Sequence, residues 1–271
     1  MSVELLLVGG GKMGAAMLAG WLKGSLSTDA VLVIEPFAET RAALEKSLGV
    51  TCVADAADIP DSVQPKTIVL AVKPQMMDAA LPAYVRFAGP DCLFLSIAAG
   101  KTIDYFEDTL GTDAVIVRAM PNTPAAVGRG ITVGFPNPQV STAQRDWADT
   151  LLRAVGEVAW VEDEGMIDAV TALSGGGPAY VFLLVEVMAR AGIAAGLPDD
   201  LAMRLARVTV AGAGELLHQA SEDAATLRQN VTSPGGTTAE ALKILMADDA
   251  LQPLMTEAIA QATRRSRELA G

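Results

Sequence analysis

Two stretches of this chain carry residue types and spacings suited to chemistry on a small anionic molecule. The first is Asn230-Val231-Thr232-Ser233-Pro234-Gly235-Gly236-Thr237-Thr238-Ala239-Glu240, in which hydroxyls and two glycines precede a helical pattern. Thr237 followed three residues later by Glu240 reads as a capping box, which puts a helix start there. The first turn of a helix leaves backbone N–H groups without intrahelical partners, so its tip can hold a carboxylate. The anion gains roughly 0.3–1 kcal/mol from the helix dipole and about 1.5–3 kcal/mol from each charge-assisted hydrogen bond. Taken alone, the segment reads equally as a well-capped helix after a Pro-Gly turn, and the amino-terminal end of the chain decides between the two.

There, Val3 to Val8 is an unbroken apolar run ended by Gly9-Gly10-Gly11-Lys12-Met13-Gly14, after which Ala15, Met17, Leu18, Trp21 and Leu22 recur at helical spacing. Gly9, Gly11 and Gly14 fit GxGxxG. The first glycine allows a tight turn, the second lets a pyrophosphate approach the backbone, and the third lets helix and strand pack closely. The motif alone is weak. Its context strengthens it: a second apolar run, Val31 to Ile34, ends in Glu35, 21 residues beyond Gly14, where a ribose-binding acid is expected. A carboxylate there accepts from ribose hydroxyls and repels a 2′-phosphate, which tilts the expected cofactor toward NADH, with Arg41 or Lys12 as the residues able to accommodate NADPH.

The elements that must position these residues follow from periodicity. Glu39 to Leu48 reads as a helix, Thr67 to Val72 as a buried strand, Met76 to Val85 as a short helix disturbed by Pro82, and Leu93 to Ile97 as a strand. Ala71-Val72-Lys73-Pro74 and Ser96-Ile97-Ala98-Ala99-Gly100 follow strands, so in an open parallel sheet both loops border the ligand crevice. Lys73 is the candidate polar contact there, or else a solvated lysine before a proline. Val115 to Met120 is a further strand running into Pro121-Asn122-Thr123-Pro124, a rigid loop that either covers the nicotinamide or only ends the strand. Ile131 to Phe135 and Val158 to Val161 read as strands flanking a helix from Thr142 to Ala154. The first domain, α/β with a Rossmann-type sheet of about eight strands, is expected to cover residues 1–164.

From Gly165 the strands stop. Gly165 to Leu173, Ala179 to Gly196, Asp199 to Ala220, Thr238 to Ala247 and Leu251 to Leu269 read as helices, with Gly175-Gly176-Gly177-Pro178 and Leu197-Pro198 as punctuation. Residues 165–271 are therefore expected to form an all-α domain. Two of its helices are apolar on nearly every face: Val181 to Met188 in one, and Leu201, Leu205, Val208, Leu216 and Leu217 in the other. Such helices must be buried, and about a hundred residues hold too little interior for both. A homodimer interface follows.

Composition narrows the function classes. The net charge of −12 with no basic stripe argues against nucleic acid or an anionic membrane surface. The apolar run Ala179 to Leu197 is interrupted by Glu186 and Arg190, which argues against a transmembrane span. Cys52 and Cys92 show no metal or redox spacing, and the chain begins without a leader pattern, so a reducing cytoplasm is expected. No metal site is expected, because HExxH, CxxC and paired-carboxylate spacings are missing. His218 lies among apolar residues and is a poor catalytic candidate. A reaction whose bond change is carried by a cofactor suits such a chain. Reduction of a C=N bond fits well, since an iminium nitrogen can arrive already protonated, whereas a hydroxy-acid dehydrogenase needs a lysine or histidine to move the hydroxyl proton. A nucleotide-binding protein without turnover is the third reading.

The glycine turn, Ala71 to Pro74, Met120 to Pro124, Asp168 to Tyr180 and Asn230 to Leu242 together resemble the pyrroline-5-carboxylate reductase family, and the resemblance spans essentially the whole chain. It implies reduction of 1-pyrroline-5-carboxylate to L-proline with NADH or NADPH, by a Rossmann-type domain followed by a helical domain that dimerises, often within rings of dimers. By the same resemblance, Ser233 and the N–H groups of Gly236, Thr237 and Thr238 hold the substrate carboxylate, and the Thr238 hydroxyl approaches the ring nitrogen. Asn230 contacts the cofactor, as do Gly9, Gly11, Lys12, Met13, Gly14 and Glu35. The loops Ala71, Val72, Lys73, Pro74 and Ala98, Ala99, Gly100 border its nicotinamide half. The family's interlocked helical domains imply that the substrate loop can complete a neighbouring subunit's site. Gly176 departs from the pattern, standing where the family's Ser-Gly-Ser-Gly-Pro run has a serine, and family members vary at Glu35.

Overall fold

The computed structural model describes residues 3–270. In chain order its strands and helices are β1 (Leu5–Val8), α1 (Lys12–Trp21), β2 (Val31–Ile34), α2 (Ala38–Leu48), β3 (Thr51–Val53), β4 (Thr67–Leu70), α3 (Met77–Ala80), β5 (Leu93–Ser96), α4 (Ile103–Leu110), β6 (Val115–Met120), β7 (Gly130–Pro136), α5 (Thr142–Arg153), β8 (Gly156–Trp160), α6 (Met166–Val170), α7 (Gly177–Ala194), α8 (Asp199–Gln219), α9 (Ala224–Asn230), α10 (Thr237–Leu245) and α11 (Leu251–Ala270). The chain separates into two compact units, one running to Gly175 and regaining the chain from Ala262 onward, the other spanning Gly176–Gln261.

The first unit is built on one eight-stranded sheet of order β3-β2-β1-β4-β5-β6-β7-β8. All neighbouring strands are parallel except β6 and β7. The strands β1, β2, β4 and β5 are buried at every position because both faces are covered, which is why they read as unbroken apolar runs. Leu6, Val8, Ile68, Leu70 and Phe94 pack on one face with Met77, Leu81, Tyr84 and Phe106. Leu5, Leu7, Val69, Leu93 and Leu95 pack on the other with Met17, Leu18, Trp21, Leu151 and Leu152. Each such side chain contributes roughly 1.5–3 kcal/mol on burial. The order reverses about β1, which lies between β2 and β4, so a switch-point crevice opens beyond the carboxyl ends of β1 and β4.

Several expectations change here. The eighth strand is β3, three partly exposed residues at the sheet edge, too short for periodicity to show. The helix expected from Met76 to Val85 is one helical turn, α3, between two 3₁₀ stretches, because Pro82 has no N–H for an α-helical bond. Sequence periodicity did not mark α4. The sheet ends at Trp160, a few residues before the expected boundary at 164/165, and the compact units divide about eleven residues after it. The reason is that α6 stays with the sheet unit: Ser266 donates to Asp168 Oδ1 at 2.7 Å, and Arg267 lies 3.8 Å from its other oxygen. Arg118, with a side chain 4% exposed, is paired with Glu164 at 2.6 Å, and Glu164 Oε1 also accepts from the Ile103 N–H at 2.9 Å. Arg118 Nη2 has no partner among the described residues.

In the second unit α7 packs on α8 through Ala189, Ala202 and Ala206, all buried. The glycine run from Gly175 to Gly177 punctuates as expected, though gently: Thr171–Gly175 form a π-helical turn, Gly176 is a bend that caps α7, and the helical run from Met166 to Ala194 is otherwise kept. Gly176 sits in ordinary helical conformation, and Pro178 falls at the first positions of α7, where its missing N–H costs nothing. By length and composition this run could cross a membrane, with a mean hydropathy of 1.4. It also carries Glu186 and Arg190, ion-paired at 3.1 Å. Phe182, Leu183, Leu184 and Val187 of α7 and Val208, Leu216 and Leu217 of α8 are each at least half exposed in the single chain. An apolar surface of that extent marks a site of contact with another molecule. The helix α9 was not anticipated; Asp223 caps it by accepting from the Thr226 N–H at 2.7 Å.

Candidate active site

The glycine turn follows β1 directly. Gly9 has a φ of +100°, and a Cβ there would lie 2.9 Å from the carbonyl carbon and oxygen of Ala71. Only glycine suits that position. A Cβ on Gly14 would lie 2.2 Å from the Gly9 carbonyl oxygen, so the third glycine is required by helix–strand packing. Gly11 differs from both. It is the N-cap of α1, and a Cβ there would meet nothing within 4 Å. The space in front of it, at a helix start with no side-chain cap, is what a diphosphate needs. Lys12 is exposed and Met13 half-buried in the same first turn.

Ala71, Val72, Lys73 and Pro74 close the other side of the turn, with the Ala71 N–H donating to Val8 O at 2.8 Å. Lys73 is exposed. Ala98 and Ala99 follow β5, whose register with β4 carries them to the same edge of the sheet. Between the ends of β1, β2 and β4 lies a cavity of about 160 Å³, lined by Ile34, Pro36, Val72, Met76 and Tyr84, with Asp55 its only charged residue. Its apolar walls suit a planar base. Burial, followed by the charge of Asp55, pushes the Tyr84 hydroxyl pKa upward.

Glu35 lies at the end of β2 against the glycine turn. It is only 5% exposed, and its Oε2 accepts from the Gly10 N–H at 2.8 Å while Oε1 accepts from the Phe37 N–H at 2.9 Å. Each carboxylate oxygen thus braces the glycine turn or the end of β2 with one of its lone pairs and keeps a second for a further donor such as a ribose hydroxyl. Arg41 donates through Nη1 to the carbonyl oxygens of Glu35 and Pro36, each at 2.8 Å, which puts a fixed positive charge beside the same strand end. Sequence spacing located the acid but had no means of showing its backbone partners. Asn122 accepts from the Ile131 N–H at 3.0 Å, so the Pro121–Pro124 loop is tied to β7.

In the second unit Asn230 ends α9 and is exposed. Ser233-Pro234-Gly235-Gly236 forms a turn in which the Gly236 N–H donates to Ser233 O at 3.0 Å and Gly235 has a φ of +69°. Proline second and a positive-φ glycine third are the requirements of a type II turn. Two expectations are corrected by this geometry. The N-cap of α10 is Gly236, with no side-chain cap, and Glu240 is paired with Lys243 at 2.6 Å, so there is no Thr237–Glu240 capping box. The helix starts one residue early because the turn delivers Gly236 already extended, at φ −81° and ψ 172°. The Gly236 N–H is engaged in that turn and cannot be a free donor. Thr237 and Thr238 occupy the first two helical positions, where N–H groups have no intrahelical acceptor, and their side chains, like that of Ser233, are exposed.

Other chemistry finds little material. His218 is exposed on α8. Burial, then the charge of Glu45, pushes the Cys52 thiol up to about 11, and burial pushes Cys92 up to about 12, so neither offers a thiolate near neutrality. Among the described residues, no group of three or more His, Cys, Asp or Glu side chains could hold a metal ion.

Two family models match the chain: "Pyrroline-5-carboxylate reductase dimerisation" over residues 164–269 and "NADP oxidoreductase coenzyme F420-dependent" over residues 4–100. The chain is 38% identical to a pyrroline-5-carboxylate reductase of Pseudomonas aeruginosa across 98% of its own length and 97% of the relative's. A solved pyrroline-5-carboxylate reductase from Coxiella burnetii superposes with a TM-score of 0.91 at 33% identity, covering all of both chains. The Plasmodium falciparum enzyme, solved with NADP bound, does so with a TM-score of 0.82 at 26% identity over 99% of this chain and 98% of that one. An eight-stranded sheet with a bare glycine-rich helix start, an apolar-faced helical unit and end-to-end similarity at this level place the chain in the pyrroline-5-carboxylate reductase family, oxidoreductases of the CH–NH class that use nicotinamide dinucleotides.

Proposed function

We propose that this protein reduces 1-pyrroline-5-carboxylate to L-proline, the last step of proline biosynthesis, as a cytoplasmic homo-oligomer. The observation that carries the reading is that one chain contains both a helix start with room for a diphosphate, at Gly11, and an uncapped helix start flanked by hydroxyls, at Ser233 to Thr238. When bound, the dinucleotide supplies the hydride. Gly9 and Gly14 shape the turn, while the backbone of Gly11, Lys12 and Met13 receives the diphosphate. Ala71 to Pro74, with Ala98 and Ala99, border the nicotinamide half, and Asn230 contributes a further cofactor contact.

The substrate carboxylate is held by the N–H groups of Thr237 and Thr238 and by the Ser233 hydroxyl, and the Thr238 hydroxyl orients the ring nitrogen. Holding the ring in register is the main task of these residues, since positioning alone contributes roughly 7–11 kcal/mol in well-oriented reactions. The Gly236 contribution is conformational, because its N–H closes the turn. For cofactor choice, the buried Glu35 carboxylate disfavours a 2′-phosphate while Arg41 offsets its charge; the NADP-bound Plasmodium relative supports NADPH. Glu35 leaves the balance toward NADH. The apolar faces of α7 and α8 close a homodimer, within a larger ring of dimers, and the acidic net charge fits a protein that binds neither nucleic acid nor membrane.

Initial rates with 1-pyrroline-5-carboxylate under NADH and NADPH in parallel test substrate and cofactor together. Thr238→Ala and Ser233→Ala should each lower turnover and leave dinucleotide binding nearly intact. Full activity in both variants sinks the substrate assignment. Oxidation of a 3-hydroxy acid in place of imine reduction would favour a dehydrogenase, although Lys243, the only lysine after Lys101, is ion-paired with Glu240.

A further inference from the structure

Beyond Leu70 and Ser96 the parallel strands β4 and β5 stop pairing, the last shared bond being Ile97 N–H to Leu70 O at 3.1 Å. The Ala71–Pro74 and Ile97–Gly100 loops follow, with no ladder bond between them after that point, and a cofactor bordered by both would meet whatever spacing their contacts impose. One side-chain cluster spans the gap. Asp78, on α3 just after the Ala71–Pro74 loop, accepts at a single oxygen, Oδ1, from Lys101 Nζ at 2.9 Å and from the Tyr105 hydroxyl at 2.6 Å. Lys101 follows Gly100 directly, and its ammonium lies 3.8 Å from the centroid of the Tyr105 ring.

The β5 loop is fixed on its other sides too. A Cβ on Gly100 would lie 3.1 Å from Leu269 O, so the loop packs against the end of α11, and the Ile103 N–H is held by Glu164. The Ala71–Pro74 loop is held to β1 at one end by the Ala71 N–H to Val8 O bond and at the other by the buried Met77 side chain, and the Asp78 cluster is what ties that second end across to Lys101 and the β5 loop. Asp78 is 74% exposed and Lys101 19%, and exposed ion pairs add little to global stability. Its effect must therefore be local. The Tyr105 hydroxyl and then Lys101 hold the Asp78 carboxyl below its ordinary pKa, so the carboxylate that accepts both bonds stays ionised across the neutral range.

We propose that Asp78, Lys101 and Tyr105 form a clasp that fixes the spacing of the two loops bordering the nicotinamide, making them positioning residues for hydride transfer. The inference rests on the cofactor reading given above. Asp78→Asn keeps the shape and removes the charge. Full-length wild type, Asp78→Asn, Asp78→Glu and Lys101→Met are compared for kcat, for KM of the imine carboxylate, for NADPH dissociation by fluorescence titration, and for Tm.

For Asp78→Asn the expected result is kcat lowered about tenfold and NADPH dissociation weakened about threefold, with imine KM within about twofold and Tm nearly unchanged, because small misplacements of a reacting group cost rate out of proportion to stability. Asp78→Glu should restore much of the loss. Lys101→Met should reproduce it, and the double variant should be no worse than either single one, as groups sharing one interaction are not additive. Wild-type kcat and NADPH affinity in Asp78→Asn, a defect confined to imine KM, or losses that only follow a fall in Tm would each overturn the clasp. Wild type that binds no dinucleotide overturns the cofactor reading and the clasp together, whereas a binding wild type matched by Asp78→Asn overturns the clasp alone.

Discussion

Gly11→Ala and Gly14→Ala add the same methyl group three residues apart and should separate binding from folding. At Gly11 the backbone is at φ −64° and ψ −175°, which alanine adopts freely, and the new Cβ meets nothing within 4 Å. Replacing an N-cap glycine by alanine costs about 1 kcal/mol or less, a Tm loss of roughly 2–4 °C for a chain of this size. The methyl does occupy the space through which a diphosphate reaches the N–H groups of α1. Losing one such charge-assisted bond removes about 1.5–3 kcal/mol, equivalent to roughly ten- to a hundredfold in NADPH affinity. At Gly14 the Cβ would lie 2.2 Å from Gly9 O, so the helix must move off the strand. Overpacking of this kind costs about 1–3 kcal/mol or more. Fluorescence titration with NADPH and thermal denaturation of both variants measure the two effects. Gly11→Ala with wild-type affinity, or with a Tm loss equal to that of Gly14→Ala, would refute the assignment of the open space to the cofactor.

Further outcomes follow from the same structure. Glu164→Ala leaves Arg118 buried without its counter-charge and the Ile103 N–H without its acceptor, so unfolding free energy in a denaturant titration should fall by about 3–5 kcal/mol. Phe182→Asp places a charge on a half-exposed apolar face of α7 and should shift the protein toward monomer in light scattering behind gel filtration, while its far-ultraviolet circular dichroism stays native. For Asp223, hydrogen bonds from Thr226 lower the folded-state pKa, so its capping contribution is present above the unfolded value of about 3.9 and is lost as pH falls through the folded one. The stability difference between wild type and Asp223→Ala should accordingly be constant near neutrality and shrink below about pH 4, as pH-dependent thermal melts will measure.

Much of the fold was legible because its signals are local. An apolar run such as Leu5 to Val8 buried on both sheet faces needs no knowledge of its neighbours, and GxGxxG followed by an acid after the second strand locates the switch point. Elements that lacked a local pattern were missed. Thr51–Val53 is a strand only because β2 supplies its partner, and α9 is a short, polar-faced helix whose best signal, Asp223 three residues before Thr226, is a cap and not a periodicity. The glycines before Pro178 read as a break, and α7 does start there, but the π-helical turn that precedes it has no sequence signal.

The amino-acid sequence by itself determined the two-unit order, the glycine turn, the hydroxyl-rich helix start and the need for a second subunit, since each depends on residue type at fixed spacing. Only the tertiary structure decided how those residues are engaged. It turned the Glu35 carboxylate onto the Gly10 and Phe37 N–H groups, set Gly236 as the N-cap of α10 with its own N–H closing the turn, and brought Asp78 of α3 together with Lys101 and with Tyr105 of α4. The physical reason is that a hydrogen bond is satisfied by whichever partner the packed backbone brings within 3 Å or so, and sequence separations such as the 27 residues between Asp78 and Tyr105 leave no trace of that choice.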